Sequence, residues 1–193
     1  MVRLSTTEKS RLRALVFITL GAALMRLLPH PYGFTPVAGM ALFGGAHFRD
    51  ARVAFAVPLL AMFASDLVLS LTIYDFTALR SMPIVYFAFS LTVVLGRFLG
   101  TRSSALRVGS ASVGAALLFY LITNFGVWTR GTLYPMTWEG LVACYVAAIP
   151  FLRNAILGNG FYAIVFFGGF WVAQRRFEGL RDDQAVSVGD ASA

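Results

Sequence analysis

The sequence predicts an all-α, polytopic membrane protein of six transmembrane helices with both termini in the cytoplasm. Composition is the first observation behind this. Of 193 residues, 58% are apolar and 13% charged, roughly half the charged share of a water-soluble domain. Segregation is the second. The charges sit in short clusters separated by apolar runs of about 17 to 22 residues, long enough to cross a ~30 Å hydrocarbon core as a helix. The third is that basic-rich and basic-poor connections alternate along the chain, as the positive-inside rule requires of a multi-pass protein.

The first span is Leu12–Leu28. It follows a charged start, as a signal peptide would. However, it is long for a signal core, and Arg26-Leu-Leu-Pro-His30 is a poor cleavage site, so it reads as a retained helix. The second span, Thr35–Phe48, is short, about 14 residues, and requires either a start near Tyr32 or a locally thinned bilayer. Val53–Ile73, Met82–Leu99, Val108–Trp128 and Asn154–Ala173 are the third to sixth. Trp138–Phe151 is apolar but short and ends at Pro150, so it reads as an interfacial or re-entrant segment. Residues 1–177 then form the transmembrane domain. Residues 178–193 are a polar, small-residue tail expected to be disordered.

Charge tests this layout. With the N-terminus inside, the inner segments hold Arg3, Lys9, Arg11 and Arg13, then Arg49 and Arg52, then Arg97, Arg102 and Arg107, and finally Arg175, Arg176 and Arg181; that is 12 of the 16 basic residues. Only Arg26, Arg80, Arg130 and Arg153 fall outside. Were Trp138–Phe151 a crossing, the Arg175–Arg176 cluster would move outside, against the rule. The net charge of +7 is therefore a matter of topology. Its basic residues cap apolar runs and form no stripe on a polar helix, which argues against nucleic acid as a partner.

Ionisable and amide side chains inside a span are costly and mark function by default. In this topology Arg26, Asp66, Tyr86, Asn124, Asn154 and Asn159 all fall in the outer half of the membrane. Facing inward, they would line a cup open to the outside. Arg26 and Asp66 are equally explained as a neutralising ion pair, and Asn124 and Asn159 as helix–helix hydrogen bonds. The outer loops are aromatic and sparse in charge. Tyr32, Phe34, Trp128, Tyr134 and Trp138 read either as an interfacial belt or as a lid over an apolar ligand.

Several chemistries find no residues. There is no Gly-x-x-x-x-Gly-Lys-Ser/Thr loop to cradle ATP phosphates, and no Gly-x-Ser-x-Gly elbow. His30 and His47 fall on opposite sides, so they make no shared metal site. Asp66 is the only acid inside a span, which leaves no carboxylate pair, and no enzymatic activity is expected. The single cysteine, Cys144, excludes an internal disulfide and reads as a small hydrophobe in an apolar helix.

The order of motifs is similar to that of a known group. Pro29-His-Pro-Tyr-Gly-Phe-Thr-Pro36 runs on through Met40-Ala-Leu-Phe-Gly-Gly-Ala46. Pro58–Asp66, Met82–Tyr86, Thr123–Trp128, Leu133–Trp138 and Pro150–Asn154 follow. The layout resembles the substrate-binding S-components of energy-coupling-factor vitamin transporters, and more closely a bacterial transport family related to them and similar to BtuM-like solitary cobalamin transporters. The resemblance implies residence in the bacterial cytoplasmic (inner) membrane and a ligand pocket near the outer face. It also implies a vitamin-like small-molecule substrate, with a corrinoid as transported ligand and no resident cofactor. Partners would be an energising module of ATPases and a coupling membrane subunit, or none for a solitary transporter. In the BtuM-like group a cysteine before the fourth helix ligates cobalt. The matching stretch here is Leu79-Arg-Ser81-Met82-Pro83, so that ligation does not carry over, and Ser81 or His30 would have to replace it.

The leading expectation is thus a substrate-capture membrane subunit or small transporter. Arg26, Asp66, Tyr86, Asn124 and Asn154 would supply polar contacts beneath the aromatic lid. The alternatives are a proton- or ion-coupled carrier titrating Asp66, and a structural subunit that transports nothing.

Overall fold

In the computed structural model, residues 6–28, 33–72 and 82–180 are described. They form α1 (Thr6–Met25), α2 (Val37–His47), α3 (Ala51–Thr72), α4 (Met82–Leu99), α5 (Ala105–Trp128) and α6 (Trp138–Ala163). A π-helical turn (Ile164–Gly168), α7 (Gly169–Arg176) and a 3-10 turn (Glu178–Leu180) follow, and there is no strand among the described residues. Among the described residues, four helices are long and apolar enough to cross a membrane: α3, α4, α5 and the run Trp138–Arg176. His30, Tyr32 and Ser81 lie outside the described residues, as does most of the expected tail. The first residues of that tail, Glu178–Leu180, pack against α1.

Side chains are distributed as a lipid-facing bundle requires. Large apolar groups point away from the protein, with Phe98 85% and Leu106 83% exposed. Small ones, such as Ala54, Ala88 and Ala115, are fully buried between helices. Helices in lipid associate through such small residues, because lipid offers no hydrophobic gain for burying large ones. α1 follows the same logic with a narrow buried stripe of Arg11, Leu15, Thr19, Ala22 and Ala23, spaced at three to four residues as one helix face.

α2 is the axis of the bundle. All 11 of its residues are buried, and it contacts α1, α3, α4, α5 and α6. At 1.5 Å per residue it is only about 16 Å long, so the short second span of the sequence is a half-length helix wrapped in protein. Its glycines make this possible. A Cβ on Gly45 would lie 2.2 Å from the Val93 carbonyl oxygen of α4, and one on Gly96 of α4 would lie 2.4 Å from the Leu42 carbonyl oxygen. The α2 and α4 backbones therefore touch at two reciprocal points. Between Leu42 and Gly45, Phe43 meets Phe167 and Phe170 edge to face at 5.4 and 5.5 Å, and His47, one turn further on, packs among the same rings.

One expected element is corrected. Trp138–Phe151 is not a separate interfacial or re-entrant segment but the first half of the helical run that continues to Arg176. Pro150 sits inside α6. It removes one backbone donor, which in a membrane bundle is tolerated where neighbouring groups hold the helix. Here α5 does so. The Tyr120 hydroxyl donates to the Tyr145 carbonyl at 2.6 Å, and the Tyr145 hydroxyl donates to the Leu121 carbonyl at 2.7 Å. The helix starts cleanly because the Thr137 side chain accepts from the Gly140 amide.

Candidate functional site

Three helices meet at Asp66. Arg26, in the turn that ends α1, forms an ion pair with Asp66 Oδ1 from α3. Tyr86 of α4 donates its hydroxyl to Asp66 Oδ2 at 2.8 Å. Arg26 Nη1 also donates to Ser65 Oγ at 2.9 Å, and Ser65 in turn donates to the Met62 carbonyl at 2.8 Å. Asp66 is 6% and Ser65 4% exposed. A carboxylate buried this deeply needs both oxygens engaged, and both are.

Arg26 also borders a cavity of about 300 Å³. Gly33, Thr35 and the first residues of α2 form one side of it, and Met62 and Val85 another. Phe119, Tyr120 and Thr123 of α5 and Phe151, Ala155 and Asn159 of α6 close the rest. Gly33 is required where it stands. Its φ is +83°, and a Cβ there would lie 2.8 Å from the Phe151 carbonyl oxygen. Phe34 turns down onto α6, with its ring 5.7 Å from those of Phe161 and Tyr162 and its backbone against Gly158. The volume lies at the small end of the roughly 300–1,000 Å³ typical of small-molecule sites, and the lining has the usual mix of apolar walls and a few polar groups.

The residues expected to form the site divide. Arg26 lines the cavity, and Asp66 and Tyr86 hold Arg26 in place. Phe34 and Asn154 stand beside it, flanking the lining residues Gly33, Thr35 and Ala155. Asn124 does not line it; its amide donates to the Tyr120 carbonyl of its own helix at 2.8 Å. Trp128, Tyr134 and Trp138 do not line it either. They belong to the α5–α6 turn, where Trp128 Nε1 donates to the Pro135 carbonyl at 3.0 Å and Trp138 is 73% exposed. Those three are placed as an aromatic belt would be.

Sequence reasoning missed Thr35, Tyr120 and Thr123. A usable signal exists for the α5 pair. Ala116, Phe119, Tyr120 and Thr123 are spaced as one face of a helix, and that face carries the only hydroxyls of the outer half of Val108–Trp128. The other end of the bundle has its own polar set. Arg97 Nη1 donates to the Phe48 carbonyl at 2.8 Å, and Arg49 pairs with Glu8 at 2.8 Å.

Among the described residues, an all-helical bundle with four helices long and apolar enough to cross a membrane, and a cavity in one half of it, is the class these features define. The chain belongs to a family of unknown function, DUF6580, whose model matches residues 6–183. No curated protein and no solved structure matches it.

Proposed function

We propose that this protein is a membrane-embedded substrate-binding protein or small transporter of the bacterial cytoplasmic membrane. It captures a vitamin-like small molecule in the outer half of a six-crossing bundle. The observation that carries this reading is the 300 Å³ cavity bordered by a braced arginine. Bracing matters because a binding group acts best when its rotamer is already fixed.

The orientation has support of its own. The start of α1 and the end of the described chain meet, with Gly179 beside Ser10, and Glu8 of the same region pairs with Arg49. Arg97 joins this end through the Phe48 and Arg49 carbonyls. Under the positive-inside rule this basic end is cytoplasmic, and the cavity then opens outward. The cavity size favours a compact solute over a corrinoid. Without a phosphate-binding loop in the sequence, emptying the site falls to an energising ATPase module or to slow unaided passage.

The test is mass spectrometry of small molecules carried by the detergent-purified full chain, compared with Ala155→Phe, which fills the cavity. The native chain is expected to release a compound that the variant lacks, with both proteins eluting as the same monodisperse species. Retention of the same compound by the folded variant would contradict the proposal. Uptake that collapses with the proton gradient and is lost in Asp66→Asn would favour an ion-coupled carrier instead.

A further inference from the structure

The hydrogen-bonding character of the cavity differs between its walls. On the α5–α6 side, Thr123 donates its hydroxyl proton to the Phe119 carbonyl at 2.7 Å. Tyr120 donates its own to the Tyr145 carbonyl at 2.6 Å. Each hydroxyl has one proton and two acceptor lone pairs. With both protons committed to backbone carbonyls, these two side chains contact a solute only as acceptors. Asn159 has one amide N–H engaged with the Ser112 carbonyl at 3.3 Å; it keeps a second N–H and its carbonyl oxygen, so it is mixed where Thr123 and Tyr120 only accept.

The α1–α3 side is the reverse. Arg26 has donors and no acceptor, and among the described residues Ser65 and Asp66 engage its Nη1. Because Asp66 balances its charge, this wall offers N–H donors more than net charge. Phe119, Phe151, Met62 and Val85 supply apolar surface to the same cavity.

We infer that the cavity takes a small bipolar solute. An acceptor, a carboxylate or a carbonyl, sits at Arg26; an N–H or O–H donor sits at Thr123 and Tyr120; an apolar body fills the rest of the cavity, against Phe119, Phe151, Met62 and Val85. This rests on the reading of the cavity as the substrate site.

Three probes that share a phenyl body separate the requirements: L-phenylalanine has both groups, phenethylamine only the donor, and 3-phenylpropionate only the acceptor. Binding to the purified full chain is measured by calorimetry, for the native protein and for Thr123→Val, which keeps the shape and removes the oxygen. Phenylalanine is expected to bind about tenfold tighter than either single-group probe, the effect of one charge-assisted hydrogen bond. Thr123→Val is expected to weaken phenylalanine and phenethylamine about tenfold and to leave 3-phenylpropionate within about twofold. Binding of all three within about twofold of one another, equal weakening of all three by Thr123→Val, or no binding of any would each overturn the inference. The two readings fail separately. A large or purely apolar compound that co-purifies and is excluded by Ala155→Phe sinks the bipolar solute and leaves the substrate site standing. A compound that Ala155→Phe does not exclude sinks both.

Discussion

The Tyr86 hydroxyl lies 2.8 Å from Asp66 Oδ2, while Arg26 holds the other oxygen of the same carboxylate. Residues from α1, α3 and α4 are thereby tied through one buried acid. Removing one partner of such a group leaves the other charge uncompensated, which costs about 3–5 kcal/mol, more than replacing both. Asp66→Ala is therefore expected to lower the unfolding midpoint in detergent more than Arg26→Ala with Asp66→Ala together. A double variant that is the less stable would show that the pair is not coupled in this way.

The contact of α2 with α4 makes a second expectation. Gly45→Ala places a methyl group 2.2 Å from the Val93 carbonyl oxygen, with no flexible side chain to yield. Overpacking of this kind costs about 1–3 kcal/mol. A methyl group on Gly109 of α5 would meet nothing within 4 Å. There Gly109→Ala is expected to stabilise by about 0.5–1 kcal/mol through helix propensity. Thermal unfolding of both variants checks the contrast, and equal effects would refute the close approach.

The continuity of the helix from Trp138 to Arg176 is open to distance measurement. Spin labels at Val142→Cys and Val172→Cys, both on exposed positions, are made in a Cys144→Ser background. At 1.5 Å per residue they should lie about 45 Å apart. A re-entrant segment folding back at Pro150 would bring them much closer, and a dominant distance below about 30 Å would contradict a single helix.

Much of this is legible in sequence, and the failures have physical causes. α4 spans Met82–Leu99, as its hydropathy alone indicates. Arg26 and Asp66 are recognisable because a membrane makes an isolated charge costly, so two at one depth point to each other. Pro150 misleads. In a soluble helix it would mark an end, whereas in α6 the chain runs through it beside the Tyr120–Tyr145 clamp. The aromatic lid misleads in another way. A tryptophan at a helix end has the same sequence signature whether it covers a ligand or anchors in the interface, and only the fold separates Trp138 from the cavity. Tyr120 and Thr123 escape notice because hydroxyls bonded to their own helix or a neighbouring one are cheap in a membrane and do not stand out as charges do.

Whether the cavity faces outward is tested most directly by side-specific thiol labelling. Thr35→Cys in a Cys144→Ser background puts the one reactive thiol at the cavity lining. A membrane-impermeant methanethiosulfonate reagent is applied to intact cells or to inside-out vesicles. Modification from the outer face, with inside-out vesicles protected, is the predicted result. Modification only in inside-out vesicles would contradict an outward-facing substrate site.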